Sequence, residues 1–410
     1  MRNYNNLNMK VGVVVDNELN NDKRVLREVE ILKEYGYEIS ILCFGFNSKT
    51  YSTITGINIT RINIRKKVKN ILFFILNSLP VYEWLWSSWI KKFIINNNIE
   101  ALHVHDLYMA RAARNGIKKT GKTIPMILDL HENYPFAVTT YNWTKGLLRN
   151  MISRPDKWQK KEKDYLGYSD KFVVLSEEFR DDLINRYPYF SETNFCALPN
   201  VPDLLQMNSF RVTREIIPFK KEAPIIFYFG VIAERRGIFD ALSAFNEIIE
   251  NGRKVTFLLI GPVDKKDKRR FYNILESAKT GLIIHLPWID ISELPSYLDI
   301  SDICIAPFHK NPQHESGVAN KIFDYMLGHK PVIASDCKPQ QKLIEKHNCG
   351  IIYRNRKELV DAIITMVDNE ALRIELGNNG FNAIVNYYNT EKVKKNLITF
   401  YQDLESQKIK

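Results

Sequence analysis

The sequence predicts an α/β protein made of two Rossmann-like domains, and three observations lead there. Near-continuous apolar runs, of the kind a parallel strand buried on both faces requires, alternate with amphipathic helical stretches. The alternation is interrupted once, by a polar stretch carrying Pro199, Pro202, Pro218 and Pro224, and then starts afresh. A chain of 410 residues is also too long for a single core.

The first strand is expected over Lys10 to Val15. A polar loop follows, then a helix from Asp22 to Tyr35 with Val25, Leu26, Val29 and Leu32 on one side and Gly36 as its stop. Strand two is Glu38 to Phe44, so the chain opens on a β-α-β unit whose ligands gather at the strand C-terminal ends. The loop from Asp16 lacks G-x-G-x-x-G, which argues against a dinucleotide in this half. Arg61 to Lys69 then carries five cations and runs into an aromatic-rich segment ending at Ile95. Two readings of that segment stand side by side: a surface for an anionic membrane, or a helix pair covering the sheet with ordinary core aromatics. A second basic cluster, Lys145, Arg149, Arg154, Lys157, Lys160, Lys161 and Lys163, favours the first.

Strand 101–106 delivers His105 and Asp106 at its C-terminal end, and strand 126–135 delivers Asp129, His131, Glu132 and Asn133. Two strand ends, each with a histidine and a carboxylate, lie where an α/β sheet keeps its site. A structural role for the histidines stays open, and the residue types alone would suit a metal without showing a geometry for one. Strand 171–176, a helix to Tyr187 and a short strand ending at residues 198–203 complete this half. In the second half, strand Ile225 to Phe229 leads into the loop Gly230 to Gly237, where Arg235 and Arg236 precede a glycine and a helix. Arginine's fixed fork suits phosphate oxygens, although a solvated basic loop is the commoner fate of such a pair. Strands at 255–261, 281–286, 302–307 and 331–334 follow, with helices at 292–300, 339–346, 356–379 and 390–407.

After strand 302–307 comes the stretch His314 to Asp336, a turn and a helix that lead into strand 331–334. Gly317 loosens the backbone just before a helix from Val318 to Leu327, and Gly328 stops it. Such a helix start offers free N–H groups and the positive end of a macrodipole to a phosphate or carboxylate. Asn320 and Lys321 stand in its first turn, and Asp324 one turn beyond. A cation at that end is unfavourable to the helix itself and makes better sense with an anionic ligand.

Composition narrows the class. With 45% apolar and 26% charged residues the chain is that of a folded protein, and its five scattered cysteines show no zinc spacing. They read as reduced core thiols of a cytosolic protein. The N-terminus lacks the apolar core of a signal peptide, and no apolar run reaches the length of a membrane span. The net charge of +11 calls for an anionic partner. Nucleic acid is not expected, because no helix-turn-helix, RNP or zinc pattern is present.

Taken in order, MKVGVVVDNELNNDKRVLREVEILKEYGYEISIL, HVHD, DLHE, the VVLSEEF…LPNVPD passage, FGVIAERRG, LPSYLDISDICIAPF and GVANKIFDYMLGHKPVIASD resemble the retaining glycosyltransferases of the GT-B fold, in the large family 4. The resemblance implies two Rossmann-like domains facing across a cleft. They would be an acceptor-side domain over 1–203 and a nucleotide-sugar domain over 204–385, with a helix over 386–410 packing back on the first. It further implies transfer, with retention, from a nucleotide-diphosphate sugar to a glycan or lipid-linked acceptor, as in bacterial surface polysaccharide assembly, and no metal or other cofactor. Localisation would be cytoplasmic, with peripheral attachment at the inner face of the plasma membrane left open.

Residue by residue, the family's phosphate-binding cations fall on Val231 and Arg236, so the first is missing here and Arg235 is the nearest substitute. The family's Glu-x7-Glu pair falls on Ser316 and Asp324, with Glu315 one place early. Asp324 would take the ribose hydroxyls, and the sugar-facing role lies between Ser316 and Glu315. His131 matches the family's histidine near the donor sugar. The resemblance therefore puts His131, Arg236 and Glu315 in catalysis. It assigns His105, Asp106, Gly230, Arg235, Ser316, Gly317, Asn320, Lys321 and Asp324 to substrate binding. The departures at Val231 and Ser316 leave two alternatives: a catalytically inactive sugar-nucleotide-binding protein, and a sugar-nucleotide epimerase of the same fold.

Overall fold

A computed structural model describes residues 9–20, 22–46, 54–277 and 282–408. The N-terminal stretch read above as lacking a signal peptide lies largely outside them. The chain forms two compact units, one of residues up to Leu198 together with those from Lys394 onward, the other Pro199–Val393.

The first unit is a seven-stranded parallel sheet. Its strands are β1 (Lys10–Val14), β2 (Glu38–Gly45), β3 (Asn58–Asn63), β4 (Ala101–His105), β5 (Met126–Asp129), β6 (Lys171–Val174) and β7 (Phe195–Ala197). They lie in the order β3-β2-β1-β4-β5-β6-β7. The order reverses between β1 and β4, which is where an open α/β sheet leaves a crevice at the strand C-terminal ends. Register fixes the chemistry there: His105 on β4 is paired with Asp129 on β5. β3 was not expected from the sequence, because it is an edge strand whose burial alternates weakly and whose last residues open the basic run from Arg61.

The helix Lys23–Tyr35 starts on Asp22, whose side chain accepts the Val25 N–H, and ends on Gly36. Its buried face holds Val25, Val29, Ile31 and Leu32, and also Arg24 and Glu28. The aromatic-rich segment divides. Over Val81–Asn96 it is a core helix that buries Tyr82, Trp86, Ile90, Phe93 and Ile94 against the sheet, whereas Lys66–Phe74 is a helix with no buried residue.

The second unit is a six-stranded parallel sheet of β8 (Ile225–Phe229), β9 (Thr256–Ile260), β10 (Ile283–Leu286), β11 (Ile303–Ala306), β12 (Val332–Ser335) and β13 (Gly350–Tyr353). Their order is β10-β9-β8-β11-β12-β13, with its own reversal between β8 and β11. β13 also escaped the sequence reading; it is a short, half-buried edge strand. The single helix expected over 356–379 is two, Arg356–Asp368 and Glu370–Asn386. Asn369 between them is extended, and its side chain accepts the Leu372 N–H as a new start.

The last helix, Thr390–Lys408, begins in the second unit and ends in the first. There it buries Leu397, Tyr401 and Leu404, and Lys394 pairs with Glu34. All five cysteines are buried and unpaired. Among the described residues no helix is long and apolar enough to cross a membrane.

Candidate active site

In the first unit, titratable groups converge at the C-terminal ends of β1, β4 and β5. Asp129, fully buried, receives both forks of Arg24, Nε to Oδ2 and Nη2 to Oδ1, each at 2.9 Å. A buried bidentate pair of this kind fixes the carboxylate in orientation as well as in charge. Although burial opposes ionisation, Arg24 and His131 hold Asp129 well below the usual carboxylate range. His105 Nδ1 lies 2.8 Å from His131 Nε2, and each of those nitrogens is 3.3 Å from Asp129 Oδ2. The environment pushes the two histidines apart. Burial lowers His105. His131 feels the same burial, but Asp129 and Asp106 outweigh it and push it up to about 9. At neutral pH the arrangement is an Asp129 carboxylate, a neutral His105 and a His131 imidazolium, with His131 partly open to solvent.

Asp106 completes this cluster. Its backbone is held at φ 73°, a conformation rare for anything but glycine, with its N–H donated to Asp129 O. Its carboxylate lies 4.0 Å from His131 Nδ1 and accepts the Tyr108 hydroxyl at 3.1 Å. The same hydroxyl lies 3.0 Å from Asp16 Oδ2, so its one proton is shared between the two carboxyls; Asp16 in turn holds Lys69 at 3.0 Å and the hydroxyl of Tyr82. Burial raises Asp16 despite Lys69, and burial raises Glu132, which accepts the Tyr141 hydroxyl.

Behind His105, the ring of His103 stacks on it at 4.7 Å and shares a 2.8 Å hydrogen bond with Tyr401 of the last helix. Glu28 faces His103 at 3.7 Å and Arg24 at 3.2 Å, and burial together with Asp129 pushes its carboxyl up to about 8. Glu28, His103, His105 and Asp129 bring four metal-ligand types within 4.8 Å of one another. The cation already seated against both of those carboxylates is the Arg24 guanidinium, so the set does not fit a metal as it stands. Arg24 and Glu28 escaped the sequence reading. Their one signal was charge at i,i+4 spacing, flanking the apolar stripe of Val25 and Val29.

In the second unit the cations gather where β8 ends. Gly230 adopts φ 137°, and a Cβ there would come within 2.7 Å of Lys321 Nζ, so the bare backbone is what admits the lysine. That ammonium lies 3.6 Å from the Tyr228 ring and 5.2 Å from Phe308. Burial and Arg236 hold its pKa well below the usual lysine value, with Asp324 pulling only partly the other way. Tyr228 in turn donates its hydroxyl to Val231 O at 2.8 Å. Arg236 sits over Phe308 at 5.3 Å, with Nη1 3.5 Å from His314 Nε2. Burial lowers His314 to about 4, against its hydrogen bond to His309 O, so it is neutral beside the guanidinium. Arg235 is half exposed and 3.9 Å from Asp264.

The helix expected from Val318 starts at Asn320 and runs to Leu327. Its N-cap is Ala319, with no side chain capping the first turn; the Ile322 N–H is taken by Ala319 O, and the Asn320 and Lys321 N–H groups precede it. Asn320 is exposed and Asp324 half-buried on this helix. Beside them Gly317 is half-buried, while Ser316 is buried and donates its hydroxyl to Gln313 O at 2.7 Å. Glu315 Oε1 accepts the Lys338 N–H at 3.0 Å. The structure thus groups Gly230, Arg236, Lys321 and the helix start, and leaves Glu315 and Ser316 engaged with backbone. The aromatic seats under the cations, Tyr228 and Phe308, had no sequence signal beyond hydrophobicity.

Over both units the fold is that of the GT-B glycosyltransferases. A sucrose-phosphate synthase from Thermosynechococcus elongatus superposes with a TM-score of 0.73 at 15% identity, covering 98% of this chain and 100% of that one. A glycosyltransferase from Rickettsia africae gives 0.72 at 15% identity, covering 97% and 99%. In sequence, residues 223–369 match the family described as Glycosyl transferases group 1, and residues 23–204 match Glycosyltransferase Family 4. The chain belongs to these glycosyltransferase families. The capsular polysaccharide biosynthesis glycosyltransferase CapM of Staphylococcus aureus is 21% identical over 182 residues, which are 43% of this chain and 45% of that protein. The match thus spans under half the length of that relative.

Proposed function

We propose that this protein transfers a sugar from a nucleotide-diphosphate sugar to a glycan or lipid-linked glycan acceptor in bacterial surface polysaccharide biosynthesis. One observation carries the reading: Lys321 is a half-buried cation seated on Tyr228, its charge only partly offset by Asp324, beside Arg236, Gly230 and a helix start without a side-chain cap. A folded protein keeps such a charge where an anionic ligand compensates it. Lys321 supplies the cation that Val231 lacks, and a diphosphate is the ligand whose size and charge suit all four elements.

The mechanism follows from where charge develops. As the bond from the sugar to the diphosphate breaks, negative charge grows on the leaving phosphate. Arg236, Lys321 and the N–H groups of Asn320 and its neighbours stabilise it without a metal. Asp324 takes the ribose hydroxyls, with Arg235, Gly317 and Asn320 around the nucleotide. On the acceptor side His131, held by Asp129 and Asp106 with His105 behind it, is assigned to catalysis. Glu315, its Oε1 anchored by the Lys338 amide, is assigned to the sugar. Retention of configuration is the expectation the family brings.

The engagement of Glu315 and Ser316 with backbone favours a second reading, a sugar-nucleotide-binding protein without turnover. A panel of uridine, guanosine and other diphosphate sugars separates the two. Transfer or slow hydrolysis of one donor, lost in Arg236→Ala, supports the transferase. Tight binding without turnover on any acceptor supports the second reading, and release of an epimer with no acceptor would point to an epimerase.

A further inference from the structure

The first unit carries a basic, apolar face that its own packing leaves uncovered. The helix Leu147–Ser153 buries only Ser153. Leu147, Leu148 and Met151 are 86%, 72% and 66% exposed, and Ile152 is exposed beside them. Positions 147, 148, 151 and 152 lie along one side of a helix, so this is one apolar stripe rather than scattered residues. The helix is nonetheless fixed. Ser78 Oγ donates to Ile152 O at 2.7 Å, Asn77 Nδ2 to Ser153 O at 2.8 Å, and Lys161 Nζ to Asn77 Oδ1 at 2.7 Å. On the segment that anchors it, Ile71 and Leu79 are exposed as well.

Charge along these segments is mostly of one sign. Between residues 145 and 161 six cations accompany a single acid, Asp156. In the neighbouring run from Arg61 to Lys69, Lys69 turns inward to Asp16 and Arg61 to the Glu18 carbonyl. That leaves Arg65, Lys66 and Lys67 on the outside. Lys69, on the helix Lys66–Phe74, reaches Asp16, and Tyr108 joins Asp16 to Asp106 beside His131.

We infer that this face, Leu147, Leu148, Met151 and Ile152 with the exposed cations Arg149, Arg154 and Lys160 in the same stretch and Arg65, Lys66 and Lys67 on the preceding basic run, docks on the surface of an anionic lipid bilayer. Cations draw the face to acidic headgroups, each contributing about fivefold in partition, and the leucines and methionine enter the headgroup boundary. A second copy of the chain is a poorer occupant, because a two-fold contact would bring these cations against themselves. The surface stands on its own geometry. Its role as the place where a lipid-linked acceptor is met rests on the transferase reading.

The test is flotation of the full chain with vesicles containing about one-third phosphatidylglycerol, against wholly zwitterionic vesicles, at physiological salt. The expected result is flotation with the anionic vesicles only. Leu148→Glu with Met151→Glu, and separately Arg149→Glu with Lys160→Glu, should each lower partition at least tenfold. Both pairs are exposed, and an unchanged thermal shift with nucleoside diphosphates shows that the fold persists. No flotation of the parent protein, equal flotation with zwitterionic vesicles, or undiminished flotation of the Leu148 and Met151 variant overturns the inference. So does a dimer that this variant splits in the absence of lipid binding. No donor or acceptor enters the assay, so its failure leaves the transferase reading untouched, and absence of transfer leaves the surface untouched.

Discussion

Replacing Lys321 by methionine tests the donor site most directly, because the two expected effects have opposite signs. In the free protein Lys321 is half-buried, and its pKa is held well below the ordinary lysine value by desolvation and by Arg236. Each unit of such lowering is ~1.4 kcal/mol of folding free energy lost at neutral pH. The Tyr228 ring at 3.6 Å returns only part of it. Lys321→Met keeps the straight chain and removes the charge. The free protein should therefore melt higher, by about 2–4 °C for each kcal/mol recovered in a unit of this size. With ligand the order reverses. A charge-assisted contact to phosphate is worth ~1.5–3 kcal/mol, so the Kd for a nucleoside diphosphate should weaken by roughly 10- to 150-fold. At a ligand concentration of a hundred times the original Kd, stabilisation of about 2.7 kcal/mol would fall to about 0.4 kcal/mol after a hundredfold weakening. Calorimetry with and without the diphosphate reads both. A variant that melts lower without ligand and keeps the full ligand-induced shift refutes the assignment of this cation to an anionic ligand.

Three further outcomes follow from the same geometry. Gly237→Ala should destabilise by more than ~1 kcal/mol in denaturant titration, since φ is 71° there and a Cβ would lie 1.5 Å from Pro307 O. Stability of the first unit should fall between about pH 5 and 9. A folded-state pKa raised to about 9 at His131 confers stability present below its unfolded value and lost as pH rises through 9. Glu28, raised to about 8, favours its neutral form in the fold and disfavours folding progressively above its ordinary value. Five of the six tryptophans lie in this unit, so intrinsic fluorescence melts report it; Glu28→Gln should flatten the lower part of the slope and His131→Gln the upper, and unchanged slopes would contradict the assigned protonation states. Finally, Glu315→Gln should leave the melting temperature within about 2 °C, because an amide oxygen can still accept the Lys338 N–H, while lowering transfer at least tenfold. Unaltered transfer would remove Glu315 from the sugar.

The sequence made the two sheets legible because their central strands are buried on both faces and read as apolar runs. β1 and β8 are of this kind. It concealed β3 and β13, which are half-solvated edge strands, whereas the equally half-solvated edge strand β10 was legible. The aromatic segment illustrates the limit of periodicity. Trp86 and Trp84 stand two positions apart on one helix, one buried in the core and the other exposed, and composition alone cannot separate them. The proposed donor site was legible at Gly230 and Arg236, which share one loop, and at Lys321 in the first turn of a helix that follows Gly317. The Asp129 cluster was legible only in part. His105 and His131 were visible at strand ends, but Arg24 comes from a helix 105 residues upstream of Asp129 and reads locally as one more surface charge.

That long-range pair explains how a histidine cluster survives at the end of a buried sheet. Asp129 alone would be an unpaired charge in the core, and His131 alone would lose its proton to burial. The Arg24 fork ionises Asp129, and Asp129 in turn keeps the proton on His131. Behind them Tyr401 fixes His103, whose ring is the stacking platform for His105. The reactive edge of the first unit is thus held by two elements remote from it in sequence, the first helix through Arg24 and the last through Tyr401. Tyr401→Phe removes a hydroxyl from His103 without touching His131. If the platform orients His105, and through it His131, the substitution should lower kcat with little change in KM for the donor; an equal loss from both would mean that Tyr401 serves the fold alone.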